Sequence, residues 1–258
     1  MMDVSSNPLA VHVASSRSAM GARAGADVAS KVRTFLASQE GVRILFAAAP
    51  SQSEMLLSLA HTSGIDWPRV SAFHMDEYLG LPEDAIQRFG VWLRRTMFDE
   101  VPFGAVHLIE PGDDADRTAA EYAEKLNAAP IDIVCCGVGV NGHLAFNDPP
   151  ADFNDPLTVK IVALDSLCRQ QQVDDGCFAS LEAVPTHAVT VTIPALLSAR
   201  SIFCTVPGSK KNQAIRNMLE QPITPQCPAT ALRLHPNCTL YLDPDSAGDI
   251  SFRGYRQI

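Results

Sequence analysis

The spacing of apolar residues predicts helices and strands that alternate along the chain. Apolar side chains recur at helical intervals over residues 24–39, and Gly41 follows as a terminator. Residues 42–48 form an apolar run typical of a buried strand, and residues 51–61 return to helical spacing. Further strands are predicted at residues 69–75, 105–109, 131–136, 188–193, 201–206 and 239–242, and further helices at residues 86–98, 114–126 and 209–219.

This alternation predicts an α/β, Rossmann-like fold with a mostly parallel sheet covered by helices on both faces. The chain has 258 residues, 47% of them hydrophobic, which is enough for one large core. Because no repeat or shift in composition marks a boundary, we expect a single domain over residues 1–258. Residues 148–186 combine prolines, scattered aspartates and weak periodicity. They predict a mobile lid over the site, with some helix near residues 166–172; disorder is the alternative.

Charge and cysteine content exclude several classes of function. The net charge is -9 and basic residues never cluster beyond a pair, which disfavours nucleic acid binding. The seven cysteines show no CxxC spacing, so we expect buried, reduced thiols and no metal site. No segment is apolar over the length of a signal peptide core or a membrane span. We therefore expect a soluble, cytoplasmic protein without a membrane partner.

The first strand end with chemical potential is the turn of small residues at 47–53, which contains Ala48 and Ala49. The hydroxyls of Ser51 and Ser53, with the backbone amides at the start of the next helix, can hold a phosphate. An ordinary serine helix cap explains the same pattern equally well.

Two adjacent carboxylates, Asp76 and Glu77, end the strand predicted at residues 69–75. Neighbouring side chains on an extended chain point to opposite faces, so both cannot face one site from a regular strand. We expect one to be a general base and the other to be structural, and a solvated loop pair is the alternative.

A glycine-rich turn, GVGVNGHLAFND at residues 137–148, follows the apolar strand at residues 131–136. Gly139 and Gly142 let the backbone approach a ligand closely, and His143 can transfer protons near neutral pH. A dinucleotide-binding fingerprint is disfavoured because the turn lies late in the chain and no acidic residue ends the next strand.

Four motifs, HMDEYLGLP, GVGVNGHLAFNDP, VPGSKKN and LRLHP, resemble the glucosamine-6-phosphate deaminase (isomerase) family across most of the chain. The related 6-phosphogluconolactonases share the fold and a similar histidine turn, but Phe146-Asn147 followed by an acid and a proline resembles the deaminases. The resemblance implies that Asp76 moves a proton between the first two carbons of the ring-opened amino sugar. It also implies that His143 assists ring opening and that Lys211 pairs with the substrate phosphate.

The same resemblance implies a phosphate loop at residues 48–53 and places Glu77, Gly139 and Gly142 beside the substrate. It implies a small-molecule sugar phosphate as the binding partner, no cofactor, and a chain that can assemble into homo-oligomers.

Departures from the family pattern modify these expectations. Asn141 and Asp148, both expected at the catalytic centre, stand where the best-known deaminases have aspartate and glutamate. We expect Asn141 to orient the imidazole through its amide oxygen, without stabilising an imidazolium by charge. The phosphate loop lacks the usual glycines. A phosphate-binding arginine aligns with Gln172, and Arg169, one turn earlier, is the expected substitute.

Three functions remain open at this stage. The first is an amino-sugar-phosphate deaminase that converts glucosamine 6-phosphate to fructose 6-phosphate and ammonia. The second is a 6-phosphogluconolactonase-like hydrolase in which His143 activates water. The third, prompted by Asn141, is a non-catalytic sugar-phosphate sensor, although the presence of both Asp76 and His143 counts against it.

Overall fold

Within residues 9–258, the part of the chain that the computed structural model describes, eleven strands form two sheets. The predicted domain also includes residues 1–8, which lie outside the described residues. The strands are β1 (Ala10–Val13), β2 (Val42–Phe46), β3 (Val70–His74), β4 (Asp76–Tyr78), β5 (Ala105–His107), β6 (Ile133–Cys136), β7 (Val159–Ala163), β8 (His187–Val191), β9 (Ser201–Val206), β10 (Cys238–Leu242) and β11 (Arg256–Gln257). Eight of them form one sheet in the order β11-β1-β10-β9-β6-β2-β3-β5.

Every pairing in this sheet is parallel, which confirms the predicted α/β architecture. The α-helices are α1 (Arg17–Leu36), α2 (Ser53–Ala60), α3 (Phe89–Leu93), α4 (Ala115–Asn127), α5 (Ser166–Asp174), α6 (Ile193–Leu197), α7 (Asn212–Glu220) and α8 (Pro244–Ala247). Helix α1 begins before the expected residue 24 because Ser16 caps it by accepting a hydrogen bond from the Ala19 amide. No helix of residues 9–258 has both the length and the apolar character needed to cross a bilayer.

Two apolar cores lie on opposite faces of the large sheet, as the alternation of side chains along each strand requires. On β2, Ile44 and Phe46 join the core that includes α1 and α2, whereas Leu45 joins the other core. The adjacent residues Cys135 and Cys136 on β6 divide between the two cores in the same way. All seven cysteines are free thiols and all but Cys177 are buried, which confirms their interpretation as small core residues.

The second sheet was not predicted from the sequence. It is antiparallel, in the order β4-β8-β7, and the predicted strand at residues 188–193 belongs to it as β8. Residues 148–186, predicted as a lid, contain β7 and α5, so the expected helix near residues 166–172 is confirmed and the strand was missed. Mobility of this segment remains a prediction. A cluster that includes Tyr78, Phe146 and Phe178 packs against the small sheet.

Candidate active site

An open cavity of about 510 Å³ lies beyond the carboxyl ends of four neighbouring strands, β2, β3, β6 and β9. Its walls include Ala48 after β2, Asp76 after β3, Gly139 and His143 after β6, and Lys211 after β9. Parallel strands bring their carboxyl ends to one edge of a sheet, and α/β folds bind ligands there. The fold therefore brings together, at one place, residues that belong to motifs far apart in the sequence.

Asp76 faces the cavity from a buried position in which it is 6% exposed. Burial, together with the neighbouring charge of Glu77, raises the pKa of the Asp76 carboxyl well above its usual value. Its carboxylate accepts no hydrogen bond from the described residues. Because this carboxyl group has no protein partner, it can exchange a proton with a ligand in the cavity, and its raised pKa makes the carboxylate form a stronger base.

Glu77 points away from the cavity and is structural. One of its carboxylate oxygens accepts hydrogen bonds from the amides of Tyr78 and Phe89 at 3.0 Å, and the other accepts one from the Gly90 amide at 2.9 Å. Arg88 lies 3.7 Å away. The expectation that Glu77 contacts substrate is wrong, because its oxygens accept hydrogen bonds from the backbone amides at the start of α3. The expectation that only one of the two carboxylates faces the site agrees with this geometry.

The glycine-rich turn holds the imidazole of His143 against backbone. A methyl group at Gly139 would lie 2.3 Å from the ring of His143, so only glycine fits there. Gly142 has a φ of 84°, a conformation that glycine adopts without strain. Ala145 also has a positive φ, of 50°, and lines the cavity. Such a conformation in a residue with a side chain is uncommon and concentrates at functional sites.

Asp148 is the residue that orients the imidazole. Its Oδ1 lies 3.1 Å from Nδ1 of His143 and accepts a hydrogen bond from Nδ2 of Asn141 at 3.0 Å. Burial alone would raise the pKa of Asp148, but these hydrogen bonds, the nearby imidazole and a bond from the Asp165 amide bring it below its usual value. Asp148 is therefore an ionised carboxylate, and Nε2 is the ring nitrogen left for a ligand.

Asn141 acts on the backbone and on Asp148. Its Oδ1 accepts a hydrogen bond from the amide of His143 at 3.1 Å. The expectation that this amide oxygen orients the ring is therefore wrong, because the contact to the ring comes from Asp148. Neither Asn141 nor Asp148 is part of the cavity wall, and both contribute through His143.

Lys211 supplies a cation to the cavity wall. Its side chain is 8% exposed, and burial lowers its pKa to about 8, an effect that the charge of Asp175 partly offsets. None of the carboxylates in residues 9–258 forms an ion pair with this ammonium. A buried cation that faces a cavity without a partner is suited to bind an anion.

The predicted phosphate loop contributes Ala48, Ala49 and Ser51 to the cavity wall, but Ser53 does not line the cavity. Ser53 instead begins α2, where its amide donates to the carbonyl of Pro50. The hydroxyl of Ser51 accepts a hydrogen bond from Gln52 at 3.2 Å.

Arg169 was wrongly expected to bind phosphate. Its guanidinium donates to the carbonyl oxygens of Leu181 and Val184, at 2.7 and 2.9 Å, and holds the segment after α5. Two glutamines of α5 line the cavity instead, Gln171 and Gln172. Gln172 is 9% exposed and its carboxamide forms no hydrogen bond with a described residue. Its alignment with a phosphate-binding arginine was the one signal in the sequence for this position.

Known proteins resemble this chain in sequence and in structure. A sequence profile described as "Glucosamine-6-phosphate isomerases/6-phosphogluconolactonase" matches residues 15–241, nearly the whole described chain. The chain belongs to this family. The resemblance noted from the four motifs is thereby confirmed.

Two relatives in the family illustrate the similarity. A glucosamine-6-phosphate deaminase of Bacillus cereus (strain B4264) is 33% identical over 183 residues, which cover 70% of this chain and 68% of that protein. A glucosamine-6-phosphate deaminase of Bacillus thuringiensis (strain Al Hakam) has the same identity and coverage.

Solved structures share the fold. A monomeric glucosamine-6-phosphate deaminase superposes with a TM-score of 0.84 at 23% identity, over 92% of this chain and 98% of that one. A 6-phosphogluconolactonase from Thermotoga maritima gives a TM-score of 0.76 at 16% identity, over 91% and 99% of the two chains. Both branches of the family therefore have this arrangement of sheet and helices.

Proposed function

We propose that the chain is an amino-sugar-phosphate deaminase that converts glucosamine 6-phosphate to fructose 6-phosphate and ammonia. The observation that carries the proposal is that Asp76 and His143 open into one cavity, whose wall also includes the unpaired ammonium of Lys211. Aldose-to-ketose conversion needs a base at a carbon acid and a second acid-base group at the ring oxygen. The relatives of this chain that act on glucosamine 6-phosphate support the choice of substrate.

Each group has a step that suits its surroundings. Nε2 of His143 exchanges a proton with the ring oxygen during ring opening, while Asp148 holds Nδ1 and stabilises the imidazolium by charge. Asp76 then takes the proton from C2 of the open sugar and returns it to C1, while the C2 ammonium gives one proton to the carbonyl oxygen of C1, so that C1 becomes a hydroxymethyl group and C2 an iminium. Water adds to the resulting C2 iminium, and ammonia leaves to give the ketose. The raised pKa of Asp76 favours this work, since a stronger base is a better acceptor from carbon.

Lys211 binds the phosphate, with Ser51 and the carboxamide of Gln172 as neutral partners. Assembly into homo-oligomers remains a prediction that light scattering would test. The cytoplasmic location likewise remains a prediction, supported by seven free thiols.

A coupled assay tests the proposal. Ammonia release from glucosamine 6-phosphate, with fructose 6-phosphate as co-product, is the expected result. Hydrolysis of 6-phosphogluconolactone without ammonia release would assign the chain to the other branch of the family. Tight binding of glucosamine 6-phosphate with neither reaction would indicate the sensor.

A further inference from the structure

Three side chains of different chemistry meet behind the wall of the cavity. His143, Asp148 and Cys168 each offer one ligand atom, and these atoms all lie within 4.8 Å of one another. Nδ1 of His143 and Oδ1 of Asp148 are already 3.1 Å apart. Cys168, on α5, is fully buried. The sequence predicts no metal site because cysteine spacing carries no signal here, and the fold brings the three residues together from two separate segments.

We propose that His143, Asp148 and Cys168 form a binding site for a thiophilic divalent cation such as Zn²⁺, and that metal bound there blocks the cavity's acid-base chemistry. Imidazole nitrogen, carboxylate oxygen and thiolate sulfur are all ligands that Zn²⁺ accepts. Three protein ligands leave a fourth position for water, as in open zinc sites.

The required geometry is close to the one observed. Bonds of about 2.0 Å to nitrogen and oxygen and about 2.3 Å to sulfur place tetrahedral ligands roughly 3.3 to 3.6 Å apart. The pair of His143 and Asp148, at 3.1 Å, is slightly closer than this spacing and has to separate by about 0.2 Å, which a small rotation of either side chain supplies. Cys168 has to approach by about 1 Å, which a change of its side-chain torsion supplies. Solvent reaches this pair, because the side chains of His143 and Asp148 are each 11% exposed.

The surroundings hold the carboxylate in place for a metal. Nδ2 of Asn141 donates to Oδ1 of Asp148 at 3.0 Å, and the Asp165 amide donates to Oδ2 at 3.1 Å. Such outer contacts orient metal ligands and strengthen binding. They leave Asp148 ionised and fixed before any cation arrives.

Binding redistributes two protons and releases one of them. The thiol of Cys168 loses its proton to solvent as the sulfur binds the metal, and the imidazole proton moves from Nδ1 to Nε2. Because the sulfur binds the metal as a thiolate, affinity should increase with pH. With Nε2 protonated and Nδ1 bound to metal, the imidazole can no longer accept a proton from a ligand.

Cobalt titration of the full chain tests the site directly, because a thiolate bound to Co²⁺ gives a charge-transfer absorption in the near ultraviolet. We expect wild type to bind one Co²⁺ per chain with this absorption. The Cys168→Ser variant should lose the absorption and bind at least about tenfold more weakly. Cys177→Ser is the matched control, since Cys177 packs against the same aromatic cluster and should behave as wild type.

Persistence of the absorption in Cys168→Ser, or the absence of stoichiometric binding by wild type, would overturn the proposal. If Cys168→Ser does not fold, His143→Gln replaces it and should lose the stoichiometric site. The cobalt measurement needs no turnover, so it remains decisive even if the proposed deaminase activity fails. Only the second readout rests on that activity: Zn²⁺ should inhibit ammonia release by wild type and Cys177→Ser, with recovery on chelation, and inhibit Cys168→Ser at least about tenfold more weakly.

Discussion

Two groups of residues in the cavity wall differ in how their side chains are held. Asp76 and His143 are buried ionisable groups, and Asp148 fixes the imidazole through a 3.1 Å contact. Among the described residues that line the cavity, Lys211 is the one lysine or arginine, and Gln172 is neutral and unpaired. The imidazole is fixed by a protein contact, whereas Lys211 and Gln172 leave donors free for a ligand to satisfy.

This difference separates the kinetic consequences of substitution. Groups that exchange protons act mainly in the transition state, so their loss lowers kcat. Groups that hold the anion act equally in the ground and transition states, so their loss raises KM.

Replacement of Asp76 should have the largest effect. The Asp76→Asn variant keeps the shape of the side chain but cannot take a proton from carbon. We expect kcat for ammonia release to fall roughly 10²- to 10⁴-fold, with substrate binding largely retained. Steady-state kinetics and a binding titration with glucosamine 6-phosphate measure the two quantities.

Glu77→Gln provides the matched control for that experiment. Glu77 accepts three backbone hydrogen bonds and does not reach the cavity. Its replacement should therefore lower the melting temperature and leave kcat nearly unchanged. Wild-type activity in Asp76→Asn would show that the base is a different residue.

Replacement of Asp148 should have the next largest effect. In Asp148→Asn the imidazole loses the charge that stabilises its protonated form and the contact that fixes its orientation. We expect kcat to fall about 10²-fold, because a small misplacement of a reacting group has a cost of this order. An unchanged kcat would mean that the function of the His143 imidazole does not depend on Asp148.

The sequence predicted the shared position of two candidate side chains at the sheet edge better than it predicted the rest of the molecule. Asp76 and His143 follow strands with strong apolar periodicity, so their positions at one sheet edge follow from the fold class. The small antiparallel sheet escaped prediction because β7 has five residues between prolines and aspartates, too few for clear alternation.

Hydrogen-bond partners were the least predictable feature. Arg169 binds two carbonyl oxygens of the segment after α5, and Glu77 binds the start of α3, so neither reaches the cavity. Sequence spacing gave no indication of these contacts, because each depends on which groups tertiary packing leaves unsatisfied. Gln172 lies in the cavity wall because the packing of α5 places it there, which sequence spacing also did not indicate.

Removal of the charge of Lys211 should weaken substrate binding. Lys211→Ala should raise KM about 10- to 100-fold with a small change in kcat, since a hydrogen bond to a charged group contributes about 1.5 to 3 kcal/mol. The wild-type enzyme should show a related pH dependence. The lowered pKa, about 8, means that the ammonium is charged below pH 8 and loses its proton above it.

The KM of wild type should therefore rise above pH 8, by about tenfold per pH unit once deprotonation dominates. Lys211→Arg provides the control, because a guanidinium stays charged over this range and should remove the rise. A KM that is independent of pH between 7 and 9 in wild type would contradict the assignment of Lys211 to the anion.

Introduction of a second cation into the cavity wall should have the smallest effect. Gln172 is buried and unpaired on α5 and lines the same cavity as Lys211, so an arginine there would add a second positive charge for the proposed anion. Charge-assisted hydrogen bonds are roughly twice as strong as neutral ones, and we expect Gln172→Arg to lower KM about fivefold. Because the new contact forms equally in the ground and transition states, kcat should change little. Gln171→Arg is the control, since that carboxamide already accepts a hydrogen bond from the Val140 amide and its replacement should raise KM or lower stability. If Gln172→Arg lowers kcat and leaves KM unchanged, this side chain contacts the reacting carbons and not the phosphate. The assignment of Gln172 to the anion would then be wrong.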